Sequence, residues 1–172
     1  MRRLSLGLLL VALAGGALAP LAAARSGFTW EEMQIIDKQW PNTKVTSTGL
    51  RLVVMREGTG ERPKPGERVK VLYKGMFLDG RVFDQKLDPA VPFVFRLGRG
   101  EIIEGWEEGI GLMRKGEKTL MLIPYDLAYG SRGQVGRIPR QTSLMFEVEL
   151  LEIMPFVPSS GKPPAESAKE AK

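Results

Sequence analysis

A glycine-rich stretch over residues 98–109 constrains the fold more than any other part of the chain. Apolar residues recur in it and just beyond it at helical spacing, at Ile103, Trp106, Ile110 and Met113, so the pattern predicts one short amphipathic helix. Each internal glycine weakens an isolated helix by about 1 kcal/mol relative to alanine, so this helix needs tertiary packing. The pattern leaves two interpretations of Trp106 open: a residue of an ordinary core, or the floor of an apolar pocket.

Alternating apolar and polar residues predict several β-strands around this helix. The alternation covers residues 50–54, 69–74, 93–97, 118–123 and 144–150. Asp79-Gly80 lies between two short apolar runs and is typical of a hairpin turn, and Lys115-Gly116 predicts the end of the helix. Because strands and helices do not alternate as in βαβ units, the pattern favours an antiparallel α+β fold.

The first 24 residues have the pattern of a secretory signal peptide. A basic start at Arg2 and Arg3 precedes an apolar run over residues 4–18, and three alanines ending at Ala24 offer a cleavage site. This run is short for a membrane span, which takes about 20 residues. We therefore expect cleavage after Ala24 and a periplasmic or secreted protein, with a retained signal anchor as the alternative.

A second helix is predicted near the mature N-terminus. Thr29 and Glu32 fit a capping box, Ile36 lies on the following apolar stripe, and Pro41 ends the pattern. We assign residues 25–47 to an N-terminal helical extension. The favoured interpretation is that this helix packs on its own domain, and the alternative is an arm for homodimer formation or for another partner.

Residues 124–143 form a long irregular segment with too many apolar and aromatic side chains for simple disorder, so we expect a functional loop. From residue 155 to residue 172 the chain becomes polar and proline-rich. Such a composition cannot bury enough apolar surface to become ordered, so we predict a disordered tail.

The composition excludes several kinds of chemistry. The chain has no cysteine and no histidine, which excludes disulfides, thiol catalysis, a Ser-His-Asp triad and zinc sites built from these residues. We expect neither a metal nor a cofactor. Lys and Arg number 25 against 20 Asp and Glu, with no dense basic block, so nucleic acid is not an expected partner.

Aromatic residues are spread over the predicted strands and loops, and several point to one side. They are Tyr73, Phe83, Phe93, Trp106, Tyr129 and Phe146. An aromatic core would account for them. However, Asp84 directly follows Phe83, and Tyr129 carries a hydroxyl group. A mostly apolar concavity with a few polar groups is typical of a small-ligand site.

Short motifs that include these residues occur in a fixed order along the chain. They are Val71-Leu72-Tyr73-Lys74-Gly75-Met76, Asp79-Gly80-x-x-Phe83-Asp84, Pro92-Phe93-x-Phe95-x-Leu97-Gly98, Ile102-Ile103-x-Gly105-Trp106-Glu107-Glu108-Gly109, Met113-x-x-Gly116, Ala128-Tyr129-Gly130, Ile138-Pro139 and Leu144-x-Phe146-x-Val148-Glu149-Leu150-Leu151. Each motif alone is weak, but the ordered set resembles the FKBP-type peptidyl-prolyl cis-trans isomerases. The resemblance covers residues 48–154, which we assign to the isomerase domain.

The resemblance implies an antiparallel β half-barrel curled around one short central helix, with a pocket over the Trp106 indole. It implies a catalytic set of Tyr73, Phe83, Asp84, Ile103, Trp106, Tyr129 and Phe146, and substrate contacts from Phe93, Glu101 and Ile102. The Ile103 N–H and the Tyr129 hydroxyl would bind carbonyl groups, Glu101 would offer a backbone acceptor, and Asp84 would be a polar contact on the wall.

The implied activity is rotation about X–Pro bonds in unfolded or partly folded exported polypeptides, with macrolides as inhibitors. This reaction needs no nucleophile, metal or proton shuttle, so it is compatible with the composition. The alternative is a chaperone or scaffold of the same fold with little turnover. A carrier of apolar ligands is less favoured, because the helix should fill the concave face of the sheet.

The chain departs from the family pattern around the rim of the implied pocket. Pro89 stands where an arginine often accompanies Asp84, so we expect the usual partner of that carboxylate to be absent. Gln134, Arg137 and Arg140 replace residues common in the long loop. We expect these changes to alter substrate preference or macrolide affinity more than the basic activity.

Overall fold

The computed structural model describes residues 27–155. The predicted signal peptide lies outside these residues, as does the predicted tail beyond residue 155. The described elements are α1 (Trp30–Gln39), β1 (Lys44–Val45), β2 (Arg51–Arg56), β3 (Arg68–Phe77), β4 (Val82–Lys86), β5 (Phe93–Arg96), α2 (Glu104–Leu112), β6 (Lys118–Ile123) and β7 (Leu144–Met154). No helix among residues 27–155 is long and apolar enough to cross a membrane.

The seven strands form one antiparallel sheet in the order β1-β2-β6-β7-β3-β4, with β5 also paired to β3. Strand β3 organises the sheet because both of its edges are used. One edge pairs with β7 from Arg68 to Phe77. The other edge is divided between β5, which pairs along Arg68–Val71, and β4, which pairs along Tyr73–Met76. The predicted antiparallel α+β fold is therefore confirmed.

The period-2 pattern of the strands separates two cores on opposite faces of the sheet. On β7, Phe146 and Val148 belong to the main core against α2, whereas Met145 belongs to the second core. On β6, Met121 joins the main core and Leu122 joins the second. One sheet thus carries a helix on each face.

Helix α2 lies very close to the sheet because two of its glycines face strand β6. A Cβ atom at Gly105 would clash with Ile123, and one at Gly109 would lie 2.7 Å from the sulfur of Met121. The same helix also fixes the glycine-rich segment that precedes it, because the Glu107 carboxylate accepts hydrogen bonds from the N–H groups of Gly98 and Gly100.

The end of α2 differs from the sequence-based prediction. The helix ends at Leu112, and Met113 follows in an extended conformation with φ −73° and ψ 157°. Gly116 has a positive φ of 86° but lies in the turn before β6 and caps no helix. Met113 is 1 % exposed, so packing of its side chain in the core directs the chain out of the helix.

Helix α1 has the predicted capping box. The Thr29 side chain accepts from the Glu32 N–H, and the Glu32 carboxylate accepts from the Thr29 N–H. Ile36 is fully buried in the second core. Ser143 donates a hydrogen bond to Glu32 at 3.1 Å, and Arg51 pairs with Asp37 at 3.1 Å. The favoured interpretation, that this helix packs on its own domain, is confirmed.

We expect Ile36→Ala to lower the free energy of unfolding by about 2–5 kcal/mol, because it leaves a cavity between α1 and the sheet. Ile35→Ala is a matched control, since Ile35 is 40 % exposed on the same helix. It should change the free energy of unfolding by about 0.5 kcal/mol or less. Urea denaturation checks both values, and equal losses in the two variants would contradict burial of this face.

Candidate active site

A pocket of about 520 Å³ opens between the sheet and the N-terminal end of α2. All ten site residues expected from the sequence line it: Tyr73, Phe83, Asp84, Phe93, Glu101, Ile102, Ile103, Trp106, Tyr129 and Phe146. Glu104 and Ala128 also line it and were not expected. The structure thus brings the whole expected set to one place, whereas the role of each residue stays a prediction.

Trp106 forms the centre of an aromatic cluster within this pocket. Its ring centroid lies 5.0 Å from that of Tyr73 and 5.2 Å from that of Phe146, both nearly perpendicular. Phe93 contacts Trp106 at 6.0 Å with a similar geometry. Edge-to-face packing of this kind is favourable and fixes ring orientation. The indole is 4 % exposed, so it is held from several sides.

Gly75 on β3 contacts two of the rings that line the pocket, and the sequence patterns did not predict this part. A Cβ atom there would lie 2.7 Å from Cε1 of Phe146 and 2.8 Å from Cζ of Phe83. Because Gly75 lacks a side chain, these two rings meet edge to face over it, with centroids 5.5 Å apart. A glycine inside an otherwise alternating strand is the signal that indicates such a close approach.

Asp84 on β4 is held by two residues from different parts of the chain. The Tyr73 hydroxyl donates a hydrogen bond to its Oδ2 at 2.7 Å. The Nη2 of Arg137 pairs with its Oδ1 at 2.8 Å. Arg137 also donates to the backbone carbonyl of Phe83, at 3.2 Å from Nη2 and 3.3 Å from Nε. Both carboxylate oxygens are therefore engaged.

This pairing corrects the expectation drawn from Pro89. Asp84 does have an arginine partner, and that arginine comes from residues 124–143 rather than from the β4–β5 connection. The loop folds back over β4, and the long side chain of Arg137 reaches the wall. The signal in the sequence was an arginine at a loop position that is commonly apolar in the family.

Two donors at the pocket remain available to a ligand. Within residues 27–155, neither the backbone N–H of Ile103 nor the hydroxyl of Tyr129 donates to another group. Burial raises the pKa of Tyr129, with the Asp84 charge adding to the rise and Arg137 opposing it. The phenol therefore keeps its proton at neutral pH and can donate it in a hydrogen bond.

The pKa of Tyr73 is also raised, first by burial and then by its hydrogen bond to Asp84 and the charge of that carboxylate. In the unfolded chain this phenol ionises near its ordinary pKa of about 10. Above that pH the folded state therefore binds more protons than the unfolded state, and the free energy of unfolding falls as pH rises.

We expect Tyr73→Phe to reduce this alkaline loss of stability, because phenylalanine has no proton to lose. Urea denaturation at about pH 8 and about pH 11 measures the loss in each protein. The difference between the two pH values should be smaller in Tyr73→Phe than in the parent. An identical alkaline loss in both proteins would contradict the raised pKa of Tyr73.

The sequence matches known proteins over the segment that builds this pocket. The model for the FKBP-type peptidyl-prolyl cis-trans isomerase family matches residues 59–151. The FKBP-type isomerase FkpA of Escherichia coli K12 is 42% identical over 124 residues, which are 72% of this chain and 45% of FkpA. A peptidyl-prolyl cis-trans isomerase of Schizosaccharomyces pombe is 42% identical over 106 residues, 61% of this chain and 95% of that protein.

Solved structures show the same similarity. The crystal structure of FkpA from Escherichia coli matches with a TM-score of 0.66 and 39% identity, over 73% of this chain and 58% of that one. A peptidyl-prolyl cis-trans isomerase from Pseudomonas syringae pv. tomato matches with a TM-score of 0.65 and 34% identity, over 81% of this chain and 100% of that one. The present chain spans less than half of the length of FkpA. The ordered motifs, the fold and these matches together show that the chain belongs to the FKBP-type peptidyl-prolyl cis-trans isomerase family.

Proposed function

We propose that the protein is a peptidyl-prolyl cis-trans isomerase that accelerates X–Pro isomerisation in exported polypeptides. The observation that carries the proposal is the convergence of the ten expected residues on one pocket, in a chain of this family. The clients would be proline-containing unfolded or partly folded chains. Uncatalysed isomerisation takes tens to hundreds of seconds and can limit folding, so such clients benefit from a catalyst.

The pocket offers the environment that this reaction needs. Rotation about the X–Pro bond has a barrier of about 18–20 kcal/mol, because the planar amide is stabilised by resonance. The twisted transition state loses that resonance, and its carbonyl group is less polar. A water-poor aromatic pocket around Trp106 therefore favours the twisted form over the well-solvated planar form.

Specific donors would hold the substrate in the twisted conformation. The Ile103 N–H lies at the start of α2, and the Tyr129 hydroxyl lies in the loop, so carbonyl groups on two sides of a bound proline could be held together. Asp84 is a polar group on the pocket wall, fixed by Tyr73 and Arg137. Arg137 therefore acts as a positioning residue for this wall.

The setting of this activity is part of the proposal. The signal-peptide pattern of residues 1–24 supports export to the periplasm or the exterior. Trp30, at the start of α1, is 74 % exposed, and Ile35 is 40 % exposed. This apolar surface supports homodimer formation through the N-terminal helix, and it also favours the second candidate function, a chaperone or scaffold with little turnover.

The decisive test is the cis-to-trans rate of a short, uncharged X–Pro peptide with the purified protein, measured with and without a macrolide inhibitor of this family. We expect acceleration that the macrolide abolishes. Bound macrolide without acceleration would reject the isomerase and favour the chaperone or scaffold. Acceleration that persists with saturating macrolide would mean that this pocket is not the active site.

We expect Asp84→Asn to lower kcat/KM by about tenfold, which corresponds to about 1.4 kcal/mol of transition-state stabilisation. Asp88→Asn, in the neighbouring β4–β5 connection, is the matched control and should leave the rate unchanged. Circular dichroism and urea denaturation establish that both variants are folded. A parental rate in folded Asp84→Asn would show that the assignment of this carboxylate is wrong.

We expect Arg137→Gln to lower kcat/KM toward the same peptide by about threefold to tenfold, because the loop loses its ion pair with Asp84 and its bonds to Phe83. Arg140→Gln removes an equal charge from the same loop without touching Asp84, and it should not change this rate. If Arg137 acts through its ion pair with Asp84, Arg137→Gln should lower kcat/KM by a smaller factor in the Asp84→Asn background than in the parent protein.

A further inference from the structure

The loop over residues 124–143 carries three arginines beside the pocket. Arg132, Arg137 and Arg140 line a groove of about 460 Å³. No acidic residue occurs in the loop after Asp126, so the groove has a concentrated positive charge. This charge contrasts with the part of the pocket at the start of α2, which Glu101 and Glu104 line.

Arg137 joins the groove to the pocket. It lines the groove, and its guanidinium contacts Asp84 and the carbonyl of Phe83 on the pocket wall. Tyr129, from the same loop, lines the pocket itself. A polypeptide whose proline lies over Trp106 would therefore pass the groove within a few residues.

The other two guanidinium groups are free to bind a ligand. Within residues 27–155, Arg132 and Arg140 form no ion pair and donate no side-chain hydrogen bond, and both are exposed. Arg137, by contrast, is already paired with Asp84. The unpaired positive charge of the groove thus comes from Arg132 and Arg140.

The backbone presents these arginines from an ordered hairpin. Gln134 and Ile138 exchange two hydrogen bonds of 2.8 Å between their N–H and carbonyl groups. The Gln141 N–H donates to the Gly130 carbonyl at 3.1 Å and closes the base of the loop. Gly133 has a positive φ of 65°, and a Cβ atom there would clash with the backbone of Ile138 and Pro139. The loop therefore does not need to become ordered when it binds.

From these observations we propose that the groove binds an acidic side chain of the client polypeptide, located two or more residues from the isomerised proline. The proposal rests on the proposed function and adds a substrate preference to it. A guanidinium group fits a carboxylate with two parallel hydrogen bonds, which favours arginine over lysine in such a site. The residue directly before a proline that lies over Trp106 would be held in the pocket itself, so the acidic residue lies farther along the client chain.

The test compares X–Pro peptides that differ at one position, with Glu, Gln or Lys placed two residues before or two residues after the X–Pro pair. For the parent protein at low ionic strength, we expect kcat/KM to be about threefold to tenfold higher for Glu than for Gln on at least one side. This is the size expected for one or two exposed ion pairs. The preference should weaken at about 1 M salt, because salt screens exposed charges.

The double variant Arg132→Gln/Arg140→Gln should lose this preference and keep the parental rate with the Gln peptide. Lys38→Gln/Arg62→Gln is the matched control, since it removes the same charge from α1 and from the β2–β3 connection. It should keep the preference for Glu, which separates a local site from an effect of net charge.

Each outcome has one meaning. Equal rates for Glu, Gln and Lys peptides with an active parent enzyme would contradict the binding of acidic residues by the groove, whereas the proposed isomerase activity would stand. A preference for Glu that disappears equally in both double variants would also contradict binding by the groove, because net charge would then be the cause. Failure of the parent to accelerate any peptide would instead reject the proposed function.

Discussion

The close contact between α2 and strand β6 determines the rest of this structure. Gly105 lets the helix lie against Ile123 at a distance that a Cβ atom would prevent, and Gly109 lies close to the flexible end of Met121. At that distance Trp106 contacts the rings of Tyr73 on β3 and Phe146 on β7, and it lines the pocket. The glycines weaken the isolated helix but allow the close packing that builds the pocket. This is possible because a helix in a protein is stabilised mostly by tertiary packing.

The sequence predicted the features whose signals are local. Alternation placed the main strands, and the Thr29–Glu32 capping box placed the start of α1. It missed β1, which has two residues and no pattern of its own, and the 3₁₀ turn Tyr125–Leu127. The end of α2 was wrong because a tertiary contact of Met113, and not a capping glycine, ends the helix.

The residues that line the pocket were predicted from motifs, whereas the hydrogen bonds and the ion pair among them were not. The ten expected residues come together because a shared family pattern carries their three-dimensional arrangement. No local rule predicts Arg137 as the partner of Asp84. Arg137 also binds the carbonyl of Phe83, the residue before Asp84, which is 54 positions away, so these groups meet only after the loop folds back. The resemblance indicated the opposite, because Pro89 stands where an arginine often accompanies Asp84.

The ion pair between Arg137 and Asp84 has a consequence for how such a chain can change in evolution. The family pattern often places the arginine at the position of Pro89, in the β4–β5 connection. With the partner supplied by Arg137, proline at position 89 carries no penalty for Asp84. In this chain, loss of the arginine at 137 would leave a half-buried carboxylate without its cation. The two sites are therefore coupled through Asp84: a chain with arginine at 137 keeps the carboxylate paired whether or not position 89 is arginine.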